Sequence, residues 1–421
     1  RCFLKEGGEG MKKKMFALAA GLCLVLGMAG CGKKEEQTSG AKTESGYAKN
    51  AKLKVWGSQE DQEMYKKMIE EFQKENPEAA DWEIELAVVM GADAKTELLK
   101  DASTAADVFD FASDQVMELQ AANALYRITK NKDEIIANNL DTAIQSASVD
   151  GELYGYPVAS TTFLMFYDKS MYTEEEVKNL NTMMEKQLPE GVTNFSMDID
   201  NGWYNSCFFQ AAGCRLFGED GTDPKSCDFN SEKGLLAGNY LADLAANPKF
   251  ANQDGAVLLK AFENRTLGAT FTGGWDAELI KGYLGDDYGV TKLPEVTFED
   301  GTTAQLASMM NFNLTGVNAQ TKCPAEAMLL AEWMTNSDTA LEMRYEMRPA
   351  ASTNKKMEET IAADTENAQL SVLQTSIPQV ANFWTPTEAF GAGLMNQSIT
   401  RDNMQESLDT MVKNILSKLG E

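Results

Sequence analysis

The chain has no histidine in its 421 residues, and this absence restricts the chemistry open to it. Histidine is the usual general base of hydrolase triads and the commonest zinc ligand. Any catalysis would have to use carboxylates, lysine, tyrosine or cysteine instead. No phosphate-binding glycine loop occurs either. We expect neither a metal ion nor a cofactor in this protein.

Positive charge is also scarce. Lys and Arg total 38 against 64 Asp and Glu, which gives a formal net charge of -26. Such a surface repels phosphate backbones and anionic lipid headgroups, so we expect no nucleic-acid partner. Solubility alone is a sufficient explanation for this excess of acidic residues.

One apolar run extends from Met15 to Met28. Its length of about 14 residues is below the roughly 20 that a membrane-spanning helix needs. Lys12 to Lys14 precede it and Ala29-Gly30-Cys31 follows it, which is the order of an export signal and its cleavage site. We therefore predict that residues 1–30 comprise upstream sequence, Arg1 to Gly10, and a signal peptide.

Cys31 directly follows two small residues, and this arrangement resembles the lipobox of bacterial lipoproteins. The resemblance implies that Cys31 carries a diacylglyceryl lipid and becomes the first residue of the mature chain. Two acyl chains suffice for stable membrane attachment. Residues 31–51 would then form the lipidated cysteine and a flexible tether with a coil dimension of roughly 25 Å. We expect the folded part at the outer face of the cytoplasmic membrane.

Cys-x-x-Cys pairs are absent, which makes a redox motif or zinc cluster unexpected. After Cys31 the chain contains four more cysteines: Cys207, Cys214, Cys227 and Cys323. Cys207 and Cys214 lie seven residues apart on one predicted helix, two turns from each other and too far for a direct bond. Although export places these residues in an oxidising environment, we favour free buried thiols over disulfides.

Hydrophobic periodicity predicts alternating strands and helices in the first part of the fold. Leu53 to Gly57 reads as a strand, and apolar residues between Tyr65 and Phe72 follow at helical spacing. Two further predicted strands, Trp82 to Val89 and Asp107 to Phe111, are separated by a helix that begins near Ala94. This alternation predicts a parallel sheet with crossover helices. Because the chain exceeds the size of a single core, we expect two lobes.

The segment from Asp150 to Asp168 contains two β-rich pieces, residues 152–158 and 161–167. Pro157 cannot donate to a central ladder, so the first piece should lie at a sheet edge or leave its sheet there. On this local pattern, the segment is either a hairpin within one domain or a strand that leaves one lobe and enters another.

Family resemblance favours the crossing between lobes. Tyr154-Gly-Tyr-Pro-Val-Ala159 with Phe163-Leu-Met-Phe-Tyr-Asp-Lys169 resembles the interlobe crossing of extracellular solute-binding proteins of sugar importers, in particular maltodextrin-binding proteins. Matching motifs extend from about Leu53 to Leu419. The resemblance implies an α/β, two-lobed, periplasmic-binding-protein-like fold with an interlobe cleft and a multi-strand hinge. The N-terminal lobe would contain residues 52–159 and 312–357, and the C-terminal lobe residues 160–311 and 358–421.

Two motifs resemble the sugar-stacking segments of maltodextrin-binding proteins. Gly268-Ala-Thr-Phe-Thr-Gly-Gly-Trp275 is similar to a segment that ends in a stacking tryptophan. Glu366-Asn-Ala-Gln369, Ile377-Pro-Gln379 and Phe383-Trp384 are similar to the C-terminal stacking segment. A flat aromatic face suits the weakly positive C–H face of a pyranose. Trp56, inside an apolar strand, is assigned to the core instead.

The resemblance implies a ligand site with aromatic and polar members. These are Phe111, Trp203, Trp275, Phe383 and Trp384, together with Glu60, Asp61, Asp114, Gln115 and Thr161. Maltodextrin-binding proteins carry a ligand-binding glutamate at the position of Thr161 and an arginine at that of Gln115. Because two charged hydroxyl partners are lost, affinity or subsite preference should shift.

From these observations we predict a lipid-anchored, monomeric receptor of an ABC importer. It would capture malto-oligosaccharides, maltotriose and longer, and deliver them to the permease subunits without enzymatic activity. Two alternatives stay open at this point. The receptor could take another oligosaccharide or a polyol, or the chain could be a secreted carbohydrate-active enzyme in which two carboxylates flank a glycosidic bond.

Overall fold

The computed structural model describes residues 46–348, 350–357 and 362–419, with the backbone alone for residues 362–365. The predicted signal peptide and the lipidation site at Cys31 lie outside these ranges. The described residues form one unit by their internal contacts. Within the described ranges, no helix combines the length and the apolar composition that crossing a bilayer requires.

Strands and helices alternate along most of the chain. The strands are β1 (Lys52–Gly57), β2 (Glu83–Val88), β3 (Val108–Ala112), β4 (Ser148–Val149), β5 (Glu152–Leu153), β6 (Tyr156–Thr161), β7 (Phe163–Asp168), β8 (Thr193–Met197), β9 (Phe250–Asn252), β10 (Leu267–Gly273), β11 (Tyr288–Thr291), β12 (Glu295–Thr297), β13 (Thr303–Gln305), β14 (Met309–Val317) and β15 (Val372–Leu373). The helices are α1 (Gln62–Glu75), α2 (Ala94–Lys100), α3 (Val116–Ala121), α4 (Lys132–Asn138), α5 (Asp141–Ser146), α6 (Leu180–Glu185), α7 (Gly202–Ala211), α8 (Glu232–Ala246), α9 (Gly255–Glu263), α10 (Ala277–Leu284), α11 (Pro324–Asn336), α12 (Asp338–Met347), α13 (Ala362–Leu370), α14 (Trp384–Met395) and α15 (Met404–Ile415).

The N-terminal lobe is built on a six-stranded sheet in the order β15-β14-β3-β1-β2, with β6 paired to β14. β1 is parallel to both β2 and β3, as the alternation of strands and helices predicts. Helix α1 buries its apolar stripe, including Tyr65, Met68 and Phe72, and the chain turns away at Pro77. Phe109 and Trp56 complete the core of this lobe, so the assignment of Trp56 to the core is confirmed.

The C-terminal lobe is built on a five-stranded sheet in the order β11-β7-β10-β8-β9. β8 is parallel to β9 and β10, whereas β7 is antiparallel to β10 and β11. This sheet has a separate large core, which includes Phe195, Phe208 and Phe271. Two sheets with separate cores confirm the predicted two-lobed α/β fold.

The segment around Pro157 is a crossing between the lobes and not a hairpin. β6 pairs with β14 of the N-terminal lobe, whereas β7 pairs with β10 and β11 of the C-terminal lobe. Pro157 lies opposite Leu314, where the register of the β6–β14 pair shifts. β6 therefore occupies a sheet edge, which is the position that a proline tolerates.

Within the described residues, the chain crosses between the lobes again at β14 and around β15, and both strands depart from the predicted boundaries. β14 joins the N-terminal sheet at Met309, three residues before the expected boundary at 312. β15 also belongs to that sheet, although residues 358–421 were assigned to the C-terminal lobe. A two-residue strand carries no periodicity, so its sheet could not be identified from the sequence.

A buried hydrogen-bond network connects the three crossings, and we call it the hinge network. It comprises Thr162, Ser308, Asn367 and Ser371. The hydroxyl oxygens of Thr162 and Ser308 lie 2.6 Å apart, and those of Ser308 and Ser371 lie 2.7 Å apart. Asn367 Nδ2 donates to the Phe163 carbonyl oxygen at 2.9 Å and to Ser308 Oγ at 3.0 Å. One asparagine thereby holds all three segments together.

Candidate functional site

The six tryptophans are divided between the lobes. Trp56, Trp82 and Trp333 are buried in the N-terminal lobe. Trp203 and Trp384 are partly exposed in the C-terminal lobe, and Trp275 is 48% exposed there. Exposed tryptophan faces of this kind are candidate ligand platforms, because soluble proteins rarely leave several large aromatic rings open to water without use.

Trp275 lies directly after β10, in the turn that leads into α10. Its indole covers the backbone of Gly273 so closely that a Cβ atom there would lie 2.0 Å from the ring. Glycine at position 273 therefore allows the indole to lie flat on the strand end. Trp275 therefore lies at the carboxyl end of a strand, as the sequence predicts.

Trp203 lies in the first turn of α7, where the Asn201 side chain accepts a hydrogen bond from its backbone nitrogen at 3.0 Å. Its ring centroid lies 6.3 Å from that of Phe163. The ring centroid of the next residue, Tyr204, lies 4.8 Å from that of the same phenylalanine, and its hydroxyl lies close to the Thr272 side chain. Tyr204 was not predicted from the sequence as a member of the site. The only feature of the sequence that could have indicated it is its position next to Trp203.

These aromatic residues meet at one end of the C-terminal sheet. Phe163 of β7 and Gly273 of β10 are directly paired across the ladder. Trp275 covers Gly273, while Trp203 and Tyr204 contact Phe163, so we call Trp203, Tyr204 and Trp275 the aromatic group. Several rings at one strand end can stack on successive pyranose rings.

Carboxylates accompany the aromatic group. Thr272 Oγ1 donates to Asp276 at 2.7 Å, and Asn201 Nδ2 donates to Asp198 at 3.0 Å. Burial raises the pKa of both, and burial together with neighbouring Asp200 raises the pKa of Asp198 to about 6. Across the described ranges, no set of three acidic or cysteine side chains is arranged to hold a metal ion. These oxygens are available as hydroxyl acceptors instead.

Phe383 and Trp384 have different environments although they are neighbours. Phe383 is fully buried, and its ring meets that of Trp384 edge-on at 4.9 Å and 76°. A Cβ at Gly202 would lie 2.9 Å from the Phe383 ring, which shows how closely α7 and α14 approach. The expected ligand contact at Phe383 is therefore corrected to support of Trp384, because a buried ring has no face to offer.

The N-terminal lobe contributes a polar group beside the crossing. Asp114 lies in the turn after β3, and its carboxylate lies close to its own backbone N–H and to the side chain of Gln374. Asn311 Nδ2 donates to Gln374 Oε1 at 3.1 Å, and Asn311 is the β-ladder partner of Thr161. Thr161 is only two residues from Phe163, so this polar group adjoins the aromatic group. Burial raises the pKa of Asp114.

Besides Phe383, two more sequence-predicted members of the site do not reach it. Phe111 is fully buried, with its ring 5.6 Å from that of Phe109, so it belongs to the core. Gln115 is also buried and donates from Nε2 to the carbonyl oxygens of Gly91 and Ala92, both at 2.9 Å. Its amide therefore stabilises that loop.

Glu60 and Asp61 follow β1 in a short turn. Glu60 is exposed, whereas Asp61 accepts hydrogen bonds from Arg348 Nε at 3.0 Å and Ser58 Oγ at 2.6 Å. The guanidinium orients the Asp61 carboxylate, which remains partly exposed. We therefore keep both residues as polar candidates at this strand end.

The chain is similar to several characterised proteins. The galactooligosaccharide-binding protein of Bacillus subtilis (strain 168) is 29% identical over 402 residues, which cover 90% of this chain and 91% of that protein. A chain solved with acarbose shares 30% identity and a TM-score of 0.79, with coverage of 87% and 98% of the two chains. The maltodextrin-binding protein of L. casei BL23, solved without ligand, shares 25% identity and a TM-score of 0.75, with coverage of 88% and 100%.

A family model matches most of the folded part. It describes bacterial extracellular solute-binding proteins and matches residues 67–369. This range contains the crossing from β6 to β7, the crossing into β14 and all three residues of the aromatic group. This family assignment is consistent with the two-lobed fold and with the similarity to sugar-binding proteins. The chain belongs to the bacterial extracellular solute-binding protein family.

Proposed function

We propose that this protein is the receptor of an ABC importer and that it captures malto-oligosaccharides between its two lobes. The convergence of Trp203, Tyr204 and Trp275 on the Phe163–Gly273 pair carries this proposal. Stacked rings offer successive apolar faces, and carboxylates beside them accept hydroxyl protons. Similarity to a maltodextrin-binding protein and to a chain solved with acarbose supports an α-glucan cargo.

The hinge gives such a receptor a simple mechanism. A cargo that contacts the aromatic group and Asp114 together touches both lobes. These contacts exist fully only when the lobes are close, so binding shifts the population toward the closed form. The permease would then recognise the closed, loaded receptor.

Galacto-oligosaccharide is a second candidate cargo. A relative that covers nine-tenths of both chains is a galactooligosaccharide-binding protein. The absence of the glutamate and arginine of maltodextrin-binding proteins, at Thr161 and Gln115, also favours a different hydroxyl pattern. The two cargoes differ in the direction of their hydroxyl groups and share the apolar ring face.

Isothermal titration of residues 41–421 tests the proposal. Maltotriose, maltotetraose and β-galacto-oligosaccharides are titrated separately, and the sugars are recovered and sized afterwards. We expect micromolar or tighter binding of the α-glucans, with intact sugar recovered. Binding of galacto-oligosaccharides alone would favour the second candidate, and shortened products would favour an enzyme.

We also propose that Cys31 anchors the receptor in the membrane. Cys31→Ala in the full chain removes the lipid-bearing thiol, so the protein should move from the membrane fraction to the medium. Cys323→Ala is the matched control and should leave the distribution unchanged. A Cys31→Ala protein that stays with the membranes would contradict the anchor.

A further inference from the structure

Asp276 follows Trp275 directly in the chain, and a side chain of the preceding strand holds its carboxylate. The Thr272 hydroxyl donates to Asp276 Oδ2 at 2.7 Å. Thr272 is 4% exposed and lies one residue before the end of β10, so the strand fixes the position of this donor. The carboxylate of Asp276 is therefore held at the carboxyl end of β10.

Helix capping does not explain this orientation. An aspartate that precedes a helix usually accepts a hydrogen bond from the backbone N–H groups of the first turn. Asp276 directly precedes α10, but within the described residues its side chain makes no capping hydrogen bond to that helix. The hydrogen bond from Thr272 instead directs the carboxylate back toward the end of the strand.

Asp168, in the same lobe, shows how a structural carboxylate differs. It is fully buried and pairs with Arg265 Nη1 at 2.6 Å, so its charge is compensated inside the protein. Asp276 is partly exposed and receives a hydrogen bond from a neutral hydroxyl. A carboxylate has about four acceptor directions, and Thr272 uses one of them. The Asp276 carboxylate can therefore accept donors from outside the protein.

We propose that Asp276 accepts a hydroxyl group of the pyranose ring that stacks on Trp275, and that Thr272 is the positioning residue for this carboxylate. The inference rests on the proposed function, because it places a ring of the cargo on Trp275. A pyranose that lies on an indole directs its equatorial hydroxyl groups outward in its own plane, where the next residue of the chain can reach them. Trp275 supplies the apolar face, and Asp276 fixes the direction of the ring.

A double-mutant cycle on residues 41–421 tests this assignment, with maltotetraose or β-galacto-oligosaccharide, whichever the wild type binds, as the probe. Thr272→Val keeps the shape of the side chain and removes the hydroxyl, so we expect about 10-fold weaker binding. Thr272→Ser keeps the hydroxyl and should bind as the wild type does. Asp276→Asn should also weaken binding, and adding Thr272→Val to it should cost little more. Thr270→Val, two residues earlier on the same face of β10, is the control and should leave the affinity unchanged.

A titration of the sugar-free protein separates this inference from the proposed function. Burial raises the pKa of the Asp276 carboxyl group, and the Thr272 hydroxyl opposes that rise by stabilising the ionised form. Carbon-13 NMR should therefore give a higher Asp276 pKa in Thr272→Val than in the wild type. An unchanged titration, wild-type affinity in Asp276→Asn, or affinity losses that simply add in the double mutant would overturn the inference. If the wild type binds none of the sugars, the proposed function fails and the cargo contact of Asp276 fails with it, while the titration still decides the role of Thr272.

Discussion

Tryptophan 275 shows how a single residue's neighbours decide its role. The glycine beneath its indole leaves room for the ring to lie on the strand end, and 48% of the residue stays exposed. Phe111 also ends a strand, but it is enclosed by its own core. Aromatic character alone does not distinguish these two residues.

Removal of the Trp275 ring should weaken sugar binding without unfolding the protein. If the indole stacks on a pyranose, Trp275→Ala should cost about 1–3 kcal/mol of binding free energy, as at other aromatic stacking sites. Leu279→Ala is the control, because Leu279 is similarly exposed on the adjacent helix. Titration calorimetry measures both variants. Equal affinities for Trp275→Ala and the wild type would remove Trp275 from the site.

Asp110 gives the N-terminal lobe a predictable pH dependence. Burial raises its pKa to about 6, although Tyr65, Arg344 and Thr315 stabilise the charge and Asp61 opposes it. Because the folded pKa lies above the unfolded value of about 3.9, the folded protein binds the extra proton. Its stabilising contribution is complete below about pH 4 and is lost as the pH rises through about 6.

Asp110→Asn removes this titration. The stability of the wild type relative to Asp110→Asn should therefore fall between pH 4.5 and pH 7.5, by on the order of 1–3 kcal/mol. Urea unfolding at several pH values measures the difference, with Asp220→Asn as the exposed control. A difference that does not change with pH would show that Asp110 keeps an ordinary pKa.

At the scale of single residues, the sequence predicts which local motifs bind the ligand better than it predicts which distant residues contact them. Trp275, Trp203 and Trp384 follow from local segments, and all three are partly exposed in one lobe. Tyr204 was not predicted, because its place in the site depends on Phe163, which is distant in the chain. Contacts between remote segments carry no local pattern.

At the scale of elements, the hinge network is the main point of contact between the crossings. Asn367→Ala would remove the amide that donates to the Phe163 carbonyl oxygen and to Ser308 Oγ. We expect a loss of about 1–3 kcal/mol in the free energy of unfolding, the usual cost of an unsatisfied buried polar group. Urea denaturation measures it. The exposed Asn264→Ala serves as the control, and an equal effect of both substitutions would contradict the network's importance.

Most elements could be predicted from their periodicity, whereas their pairing could not. The first strands and helix α1 follow from alternating and 3.6-residue patterns. The partner of β6 is β14, which lies about 150 residues later in the chain. Local pattern left the hairpin and the crossing equally open, and family resemblance favoured the one that the structure contains.

At the scale of the whole molecule, the cysteines should remain reduced. All four in the described ranges are free, and Cys207, Cys214 and Cys227 are buried. Burial raises the pKa of Cys207, raises that of Cys214 to about 11 and raises that of Cys227 to about 12. Few reactive thiolates should therefore exist at neutral pH.

Thiol labelling of residues 41–421 tests this expectation. At pH 8 a disulfide reagent should modify the half-buried Cys323 first, and the other three only after denaturation. Cys323→Ser should abolish the early reaction. An intact mass two hydrogens lower than that of the reduced protein would indicate a disulfide instead.

The division of the tryptophans gives the molecule a built-in optical reporter. Indoles in the N-terminal lobe are shielded from water, so their fluorescence should be blue-shifted and insensitive to acrylamide. Indoles in the C-terminal lobe are accessible, so quenching should report almost entirely on the lobe that carries the aromatic group. A sugar that covers these rings would protect that emission, and cargo loading could be followed in real time without any attached dye.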